Sequence, residues 1–125
     1  AAGEVSDVLY PCFYCYGPDI DQWIEDLKIT VDYIKQYYPE KKIVGYVWPQ
    51  YYDWKTSPHY MQFITEEKFL QMLEAAYEHL DGGVIWAHGR DADNKTKVNW
   101  EDDRVQAVYR AIKTFAGRHS LSNQQ

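Results

Sequence analysis

Three short stretches of the chain are almost continuously apolar or aromatic: Asp7-Val-Leu-Tyr-Pro-Cys-Phe-Tyr-Cys-Tyr16, Lys42-Ile-Val-Gly-Tyr-Val-Trp48 and Gly82-Gly-Val-Ile-Trp-Ala87. They run into Gly17-Pro18, Pro49 and His88-Gly89. Apolar runs of this length, bounded by turn formers, predict parallel strands covered on both faces. Between them the period changes. From Ile20, apolar positions recur at Trp23, Ile24, Leu27, Val31, Ile34 and Tyr38, one stripe of a helix that Asp19 or Asp21 can cap and Pro39 stops. A second helix is predicted from Thr65, with Glu66 and Glu67 at its positive end and Phe69, Leu70, Leu73, Ala76, Tyr77 and Leu80 turned inward. A third is predicted from Asn99, where the acids Glu101 to Asp103 precede Val105, Val108, Ile112 and Phe115, and it should end before Gly117. His119 to Gln125 is polar and expected to fray. The pattern is therefore α/β: three consecutive βα units with parallel strands, one roughly every 35 to 40 residues. Two connections are long, Tyr51 to Ile64 and Gly89 to Asn99, and both follow strand C-termini, the end where α/β proteins build their sites.

Side chains alternate along a strand, so each strand divides into two faces. Tyr10, Cys12, Tyr14 and Tyr16 share one side of the first; Tyr46, Trp48 and Gln50 share one side of the second; Trp86 and His88 share one side of the third. The opposite sides carry Leu9, Phe13 and Cys15, then Ile43, Gly45 and Val47, then Ile85 and Ala87, and suit the greasy helix stripes. Right-handed crossovers between sequential strands place all helices on one side of the sheet. The aromatic, hydrogen-bonding side would then face away from them. In a (β/α)8 barrel that side is the lumen. In a doubly wound sheet one helix would cross over to cover it, and such a helix wants Leu and Val beneath it rather than tyrosine hydroxyls. The barrel is the favoured reading, and since a barrel takes about 250 residues, residues 1–125 are expected to be one partial-barrel segment, the C-terminal part of a larger catalytic domain. Left uncovered, the aromatic face would be a self-association surface, so either another copy or the missing part of the barrel is the expected partner. The alternative is a self-contained flavodoxin-like α/β binding or interaction module without enzymatic activity.

Composition sharpens this picture. Twelve Tyr, five Trp and four Phe are an unusual load for 125 residues, and Tyr and Trp suit wet surfaces that must still stack something flat. Thirteen Lys and Arg against nineteen Asp and Glu leave a net charge of -6, with no basic face for nucleic acid. No uninterrupted apolar run, Val84 to Ala87 included, comes near the roughly 20 residues of a membrane helix. No charged-then-apolar leader opens the chain, so any export signal is expected to have been removed or never to have been there.

Several of these residues resemble the closing third of the barrel in glycoside hydrolases of the hyaluronidase-like type. Leu9-Tyr10-Pro11-Cys12-Phe13-Tyr14 is similar to that family's Leu-Tyr-Pro-x-x-Tyr strand, Val44-Gly45-Tyr46-Val47-Trp48 to the strand with a polar aromatic end, and Gly82-Gly83-Val84-Ile85-Trp86-Ala87 to its final Gly-x-x-x-Trp-Gly strand, with Ala87 in place of the glycine. The order and spacing extend over most of residues 7 to 116. The resemblance implies a carbohydrate subsite in which Tyr14 lines the reaction centre and a sugar ring packs on Trp86. The family's acid/base carboxylate lies on an earlier strand, outside this chain. A secreted or periplasmic location is expected.

The residues themselves agree with a sugar wall: Tyr14, Trp48 and Trp86 can stack pyranose C–H faces, while Tyr16, Gln50 and His88 can bond hydroxyls. Glycoside cleavage needs two acidic groups, or one plus the substrate's own N-acetyl group. No Asp or Glu lies on the aromatic side of the three strands, and the loop residues Asp53, Asp91 and Asp93 show no paired spacing. The isolated chain is expected not to hydrolyse glycosides. A net charge of -6 also makes a neutral glycan a better ligand than a polyanion such as hyaluronan.

Other constellations have structural readings. Cys12-Phe-Tyr-Cys15 could be a redox or zinc motif, but in a strand its sulfurs lie on opposite faces, about 10 Å apart, and no second pair completes a metal site. Both are expected as buried free thiols. No cofactor or metal is expected. His79 can interact with a helix C-terminus, whereas His59 and His119 show no ligand spacing. Trp23 and Tyr77 belong to helix stripes, Trp54 and Tyr60 read as loop anchors, and Asn94-Lys95-Thr96 is a glycosylation sequon.

Overall fold

The computed structural model describes residues 6–52 and 58–121. Its elements follow in the order β1 (Val8–Leu9), α1 (Ile20–Tyr37), β2 (Lys42–Val47), α2 (Glu66–His79), β3 (Gly82–Ile85) and α3 (Asp103–Arg118). The strands form one parallel sheet in the sequential order β1-β2-β3. This is the α/β arrangement of three βα units, without the strand reordering of a doubly wound sheet.

The strands are shorter than the apolar runs. β1 stops at Leu9, and pairing resumes at a bridge between Cys12 and Tyr46, where the Tyr46 N–H donates to Pro11 O and the Phe13 N–H donates to Tyr46 O. Two residues earlier in this alternation the donor would be Pro11, which has no N–H, so the ladder breaks there. Asp19 caps α1, its carboxylate accepting from the Gln22 N–H at 3.0 Å, and Tyr38 lies beyond the last turn. α3 begins four residues later than Asn99, because Asp102 is the residue whose carboxylate accepts the free Arg104 N–H. Asn99 instead folds a preceding turn, accepting from the Glu101 and Asp102 N–H groups. α3 also passes through Gly117 to Arg118.

All three helices pack on one side of the sheet. The core joins Trp23, Leu27 and Val31 of α1, Phe69, Met72 and Leu73 of α2, and Val108 and Ala111 of α3 to Phe13, Ile43 and Val47 of the sheet. Within α2 the buried positions include Met72 and Ala75, while Tyr77 is half exposed, so the inward stripe is rotated away from Tyr77. Trp23 is buried as expected and donates its indole N–H to Phe13 O at 3.2 Å. His119 is docked where fraying was expected: its ring stacks on Tyr77 with centroids 3.9 Å apart, lies 4.9 Å from Phe115, and bonds the Glu74 carboxylate at 2.6 Å. Residues 122–125 of the same tail lie outside the described residues.

Candidate functional site: an aromatic wall on the side of the sheet away from the helices

The sheet register builds the site. Leu9 pairs with Ile43 and Cys12 with Tyr46 at the same offset, while Tyr46 pairs with Val84. Carried two residues on, this register sets Tyr14, Trp48 and Trp86 in a row across the sheet, and two further on Tyr16, Gln50 and His88. The rings meet accordingly. Tyr14 and Trp48 have centroids 5.6 Å apart at 72°, Trp48 and Trp86 5.1 Å apart at 80°, and Tyr14 and Trp86 6.1 Å apart. His88 stacks on Trp48 at 5.9 Å and stands edge-on to Trp86 at 5.7 Å. None of these residues belongs to the hydrophobic core beneath the helices.

Tyr52 joins the cluster without a sequence signal. It lies in the connection after β2, where strand alternation makes no prediction. The Tyr52 N–H donates to Cys15 O at 2.8 Å, which brings its ring against Tyr14 (5.4 Å, stacked) and Tyr16 (5.0 Å). Only the closeness of Tyr51-Tyr52 to a strand C-terminus could have marked it.

Exposure sorts the members. Tyr16 is 56% exposed, and Tyr14, Tyr52, Trp86 and His88 are partly exposed, whereas Trp48 and Gln50 are each 1% exposed. Gln50 is fully engaged: its Oε1 accepts from the Trp48 indole N–H at 3.2 Å, and its Nε2 donates to Met61 O and Arg90 O, each at 2.9 Å. Trp48 and Gln50 therefore form the floor of the wall rather than its open surface. Burial, then a hydrogen bond involving Cys12, pushes the Tyr14 phenol up to about 12, so it stays protonated throughout the neutral range. His88 Nδ1 is buried and has no hydrogen-bond partner among the described residues.

The loops behind the wall are tied together. Residues 58–64 fold back on 49–51, with the Ile64 N–H donating to Pro49 O and the Tyr51 N–H to Gln62 O. The loop after β3 makes its own small hairpin through an Arg90–Lys97 bridge. Tyr60 is an anchor, as its position suggested: its hydroxyl accepts from Asn94 Nδ2 at 2.9 Å. That bond engages the nitrogen to which a sugar would be attached in the sequon. Arg104 holds Asp91 with two hydrogen bonds (3.1 and 2.8 Å), bonds Asp102 and lies over the Phe63 ring. Hydrogen bonding from Arg104 holds the Asp91 carboxyl below its ordinary range. The Thr96 hydroxyl, with the Lys95 and Thr96 N–H groups, holds Asp93 at about 2. Both carboxylates are structural groups of the loop. Asp53 and Trp54 lie outside the described residues.

The cysteines stand on opposite faces and are unpaired with one another. Cys15 is buried, its thiol donating to Gly17 O and pushed up by burial. Cys12 is exposed, contrary to the expectation of two buried thiols, because no helix covers the face it occupies. Among the described residues no group of His, Cys, Asp and Glu is arranged to hold a metal ion, and no helix is long and apolar enough to cross a membrane. No protein-family model matches the chain, and no curated protein matches it either.

Proposed function

We propose that this chain is the carbohydrate-binding wall of a glycoside hydrolase-like (β/α)8 barrel, equivalent to the last three βα units, and is not catalytic by itself. The observation that carries this reading is the row Tyr14–Trp48–Trp86, with Tyr16, Tyr52 and His88 beside it, on the side of the sheet away from the helices. Flat rings with hydroxyl and imidazole groups at their margins suit a pyranose, which offers C–H groups on its faces and hydroxyls around its rim. The strand order and one-sided helices are those of consecutive barrel units. The resemblance to hyaluronidase-like enzymes points the same way. With no acidic residue on the aromatic face and with Asp91 and Asp93 held in loop structure, the acid/base groups would come from other parts of the barrel. The parent protein would be secreted or periplasmic, where glycans are met, and the preferred ligand neutral, since the chain carries net charge -6.

The test is calorimetric titration of the chain with neutral tetrasaccharides of glucose and of N-acetylglucosamine. Binding that Trp86→Ala weakens by about tenfold, the loss of one ring-stacking contact, supports the reading. Absence of binding, or equal affinity in Trp86→Ala, contradicts it. Turnover of aryl glycosides by the chain would overturn the non-catalytic assignment.

A further inference from the structure

We infer that Gln50 is a positioning residue: its buried amide orients the Trp48 indole and joins the two rim loops, so that ligand contact passes to the rings built on that floor. The inference rests on the sugar-wall reading for the identity of the ligand, but its structural content does not depend on it.

Gln50 supplies one carbonyl oxygen and two N–H donors. The oxygen accepts the only polar group of the Trp48 side chain. The two donors meet carbonyls from different loops, Met61 of the connection after β2 and Arg90 of the connection after β3. Three segments distant in sequence are thereby fixed by one side chain with no donor left over. Gln50, Trp48 and Met61 are all 1% exposed or less, so the indole N–H and the Met61 carbonyl would be buried without this partner if the amide were lost.

Met61 adds a second, independent observation. Its backbone lies at φ 57°, the left-handed region that side chains disfavour, and its side chain is fully buried. Such a conformation persists only where the surroundings fix it. The Gln50 amide grips the Met61 carbonyl at that point. On the other side, Trp48 tilted by Gln50 presents one face to His88 and an edge relation to Trp86. Releasing the indole N–H would free the tilt on which both partly exposed rings rest. The sequence placed Gln50 among the hydroxyl-binding groups; its three internal bonds make it the device that aims the others.

Two variants test this, Gln50→Ala and Gln50→Glu. A protonated glutamate can keep an oxygen under the Trp48 indole while donating to the Met61 or the Arg90 carbonyl; ionised, it faces both carbonyls with acceptors only, and their repulsion displaces the side chain and takes the acceptor away from the indole. Gln50→Glu is therefore expected to behave like the original protein at about pH 4 and to depart from it at pH 8. The readouts are exchange of the Trp48 indole N–H by NMR and the circular-dichroism couplet of the Trp48–Trp86 pair. At pH 8 exchange should be faster by about fivefold or more in both variants, as expected for loss of a hydrogen bond, and the couplet reduced. At pH 4 Gln50→Glu should recover both signals while Gln50→Ala does not. A fold lost in Gln50→Ala but retained by Gln50→Glu at acid pH, with the couplet, also supports the inference. Unchanged indole exchange and couplet in both variants would overturn it, as would loss of the fold in both at every pH. These readouts need no ligand, so failure of sugar binding and failure of the positioning role are seen separately. Where the tetrasaccharides bind, Gln50→Glu should bind them as the original protein does at pH 4 and more weakly at pH 8. Equal affinity at both pH values relative to the original would contradict the role.

Discussion

Gly45 occupies a point in β2 where the sheet has no room for a side chain. A Cβ there would lie 2.6 Å from Leu80 Cδ1 and 2.7 Å from Phe13 Cδ2, both in the packed layer between sheet and helices. Gly45→Ala should therefore destabilise the chain by about 1–3 kcal/mol, the cost of overpacking a filled core, measurable by urea denaturation. Gly83, whose added Cβ would meet nothing closer than 3.7 Å, should tolerate the same change far better. The two cysteines make a second contrast. A thiol reagent applied without reductant should modify exposed Cys12 quickly and buried Cys15 only on unfolding; a disulfide, or two equally fast thiols, would contradict the alternate-face geometry. The cysteine contrast follows from alternation along a strand, which the sequence states directly; Gly45 and Gly83 are register partners on the same side of the sheet, and their contrast comes from what packs over each. Gln50 marks the limit of that legibility. Its face could be read, but whether it offers its amide outward or consumes it internally depends on two loops whose return paths leave no periodic signal.

Helix ends show why element types are more legible than boundaries. The apolar stripes located α1, α2 and α3, since burial of one face needs only the 3.6-residue period. Where each helix starts depends on which of several neighbouring polar side chains reaches a free N–H. Asp19 does so for α1, whereas Thr65 precedes α2 without a side-chain cap bond. Asp19→Ala should accordingly cost about 1 kcal/mol of stability, and Thr65→Ala clearly less, in parallel thermal or urea unfolding. At α3 three acids follow Asn99, and Asp102 wins because it also engages the Arg104 guanidinium. Hydrogen bonds from Arg104, side chain first and backbone next, hold the Asp102 carboxyl at about 2. A lowered carboxylate stabilises the fold above its unfolded value and ceases to do so as the proton returns. The contribution of Asp102 and Asp91 should thus be present above about pH 4 and fade towards the Asp102 value of about 2. Amide exchange in the loop after β3 and the first turn of α3 should rise over that acid window, and Arg104→Ala should weaken the pH dependence, leaving the part owed to backbone N–H groups and to Asp93. His119 departs from the fraying expected of it for a related reason: it is polar by composition, yet ring stacking on Tyr77 and its bond to Glu74 hold it down.

At the scale of the whole molecule, the sheet is finished on one side and open elsewhere. The helices cover one face, while among the described residues β1 and β3 each have a neighbouring strand on one side only. Large apolar side chains stand exposed around these margins, among them Tyr10 beside β1 and Ile85, Trp100 and Tyr109 near β3. A face and two edges left bare in this way are characteristic of a piece of a larger sheet or of an associating surface. On that account the chain should self-associate in concentration-dependent fashion in analytical ultracentrifugation, or else pair with a complementary set of βα units. A monomer at millimolar concentration with no such pairing would count against the partial-barrel view. The most direct measurement of the central claim is an aromatic and indole NMR titration with the neutral tetrasaccharides. The account predicts shifts at Tyr14, Tyr16, Tyr52, Trp86 and His88, with the core indole of Trp23 unmoved. Shifts confined to the helix side or to Trp100, or none at saturating sugar, would contradict it.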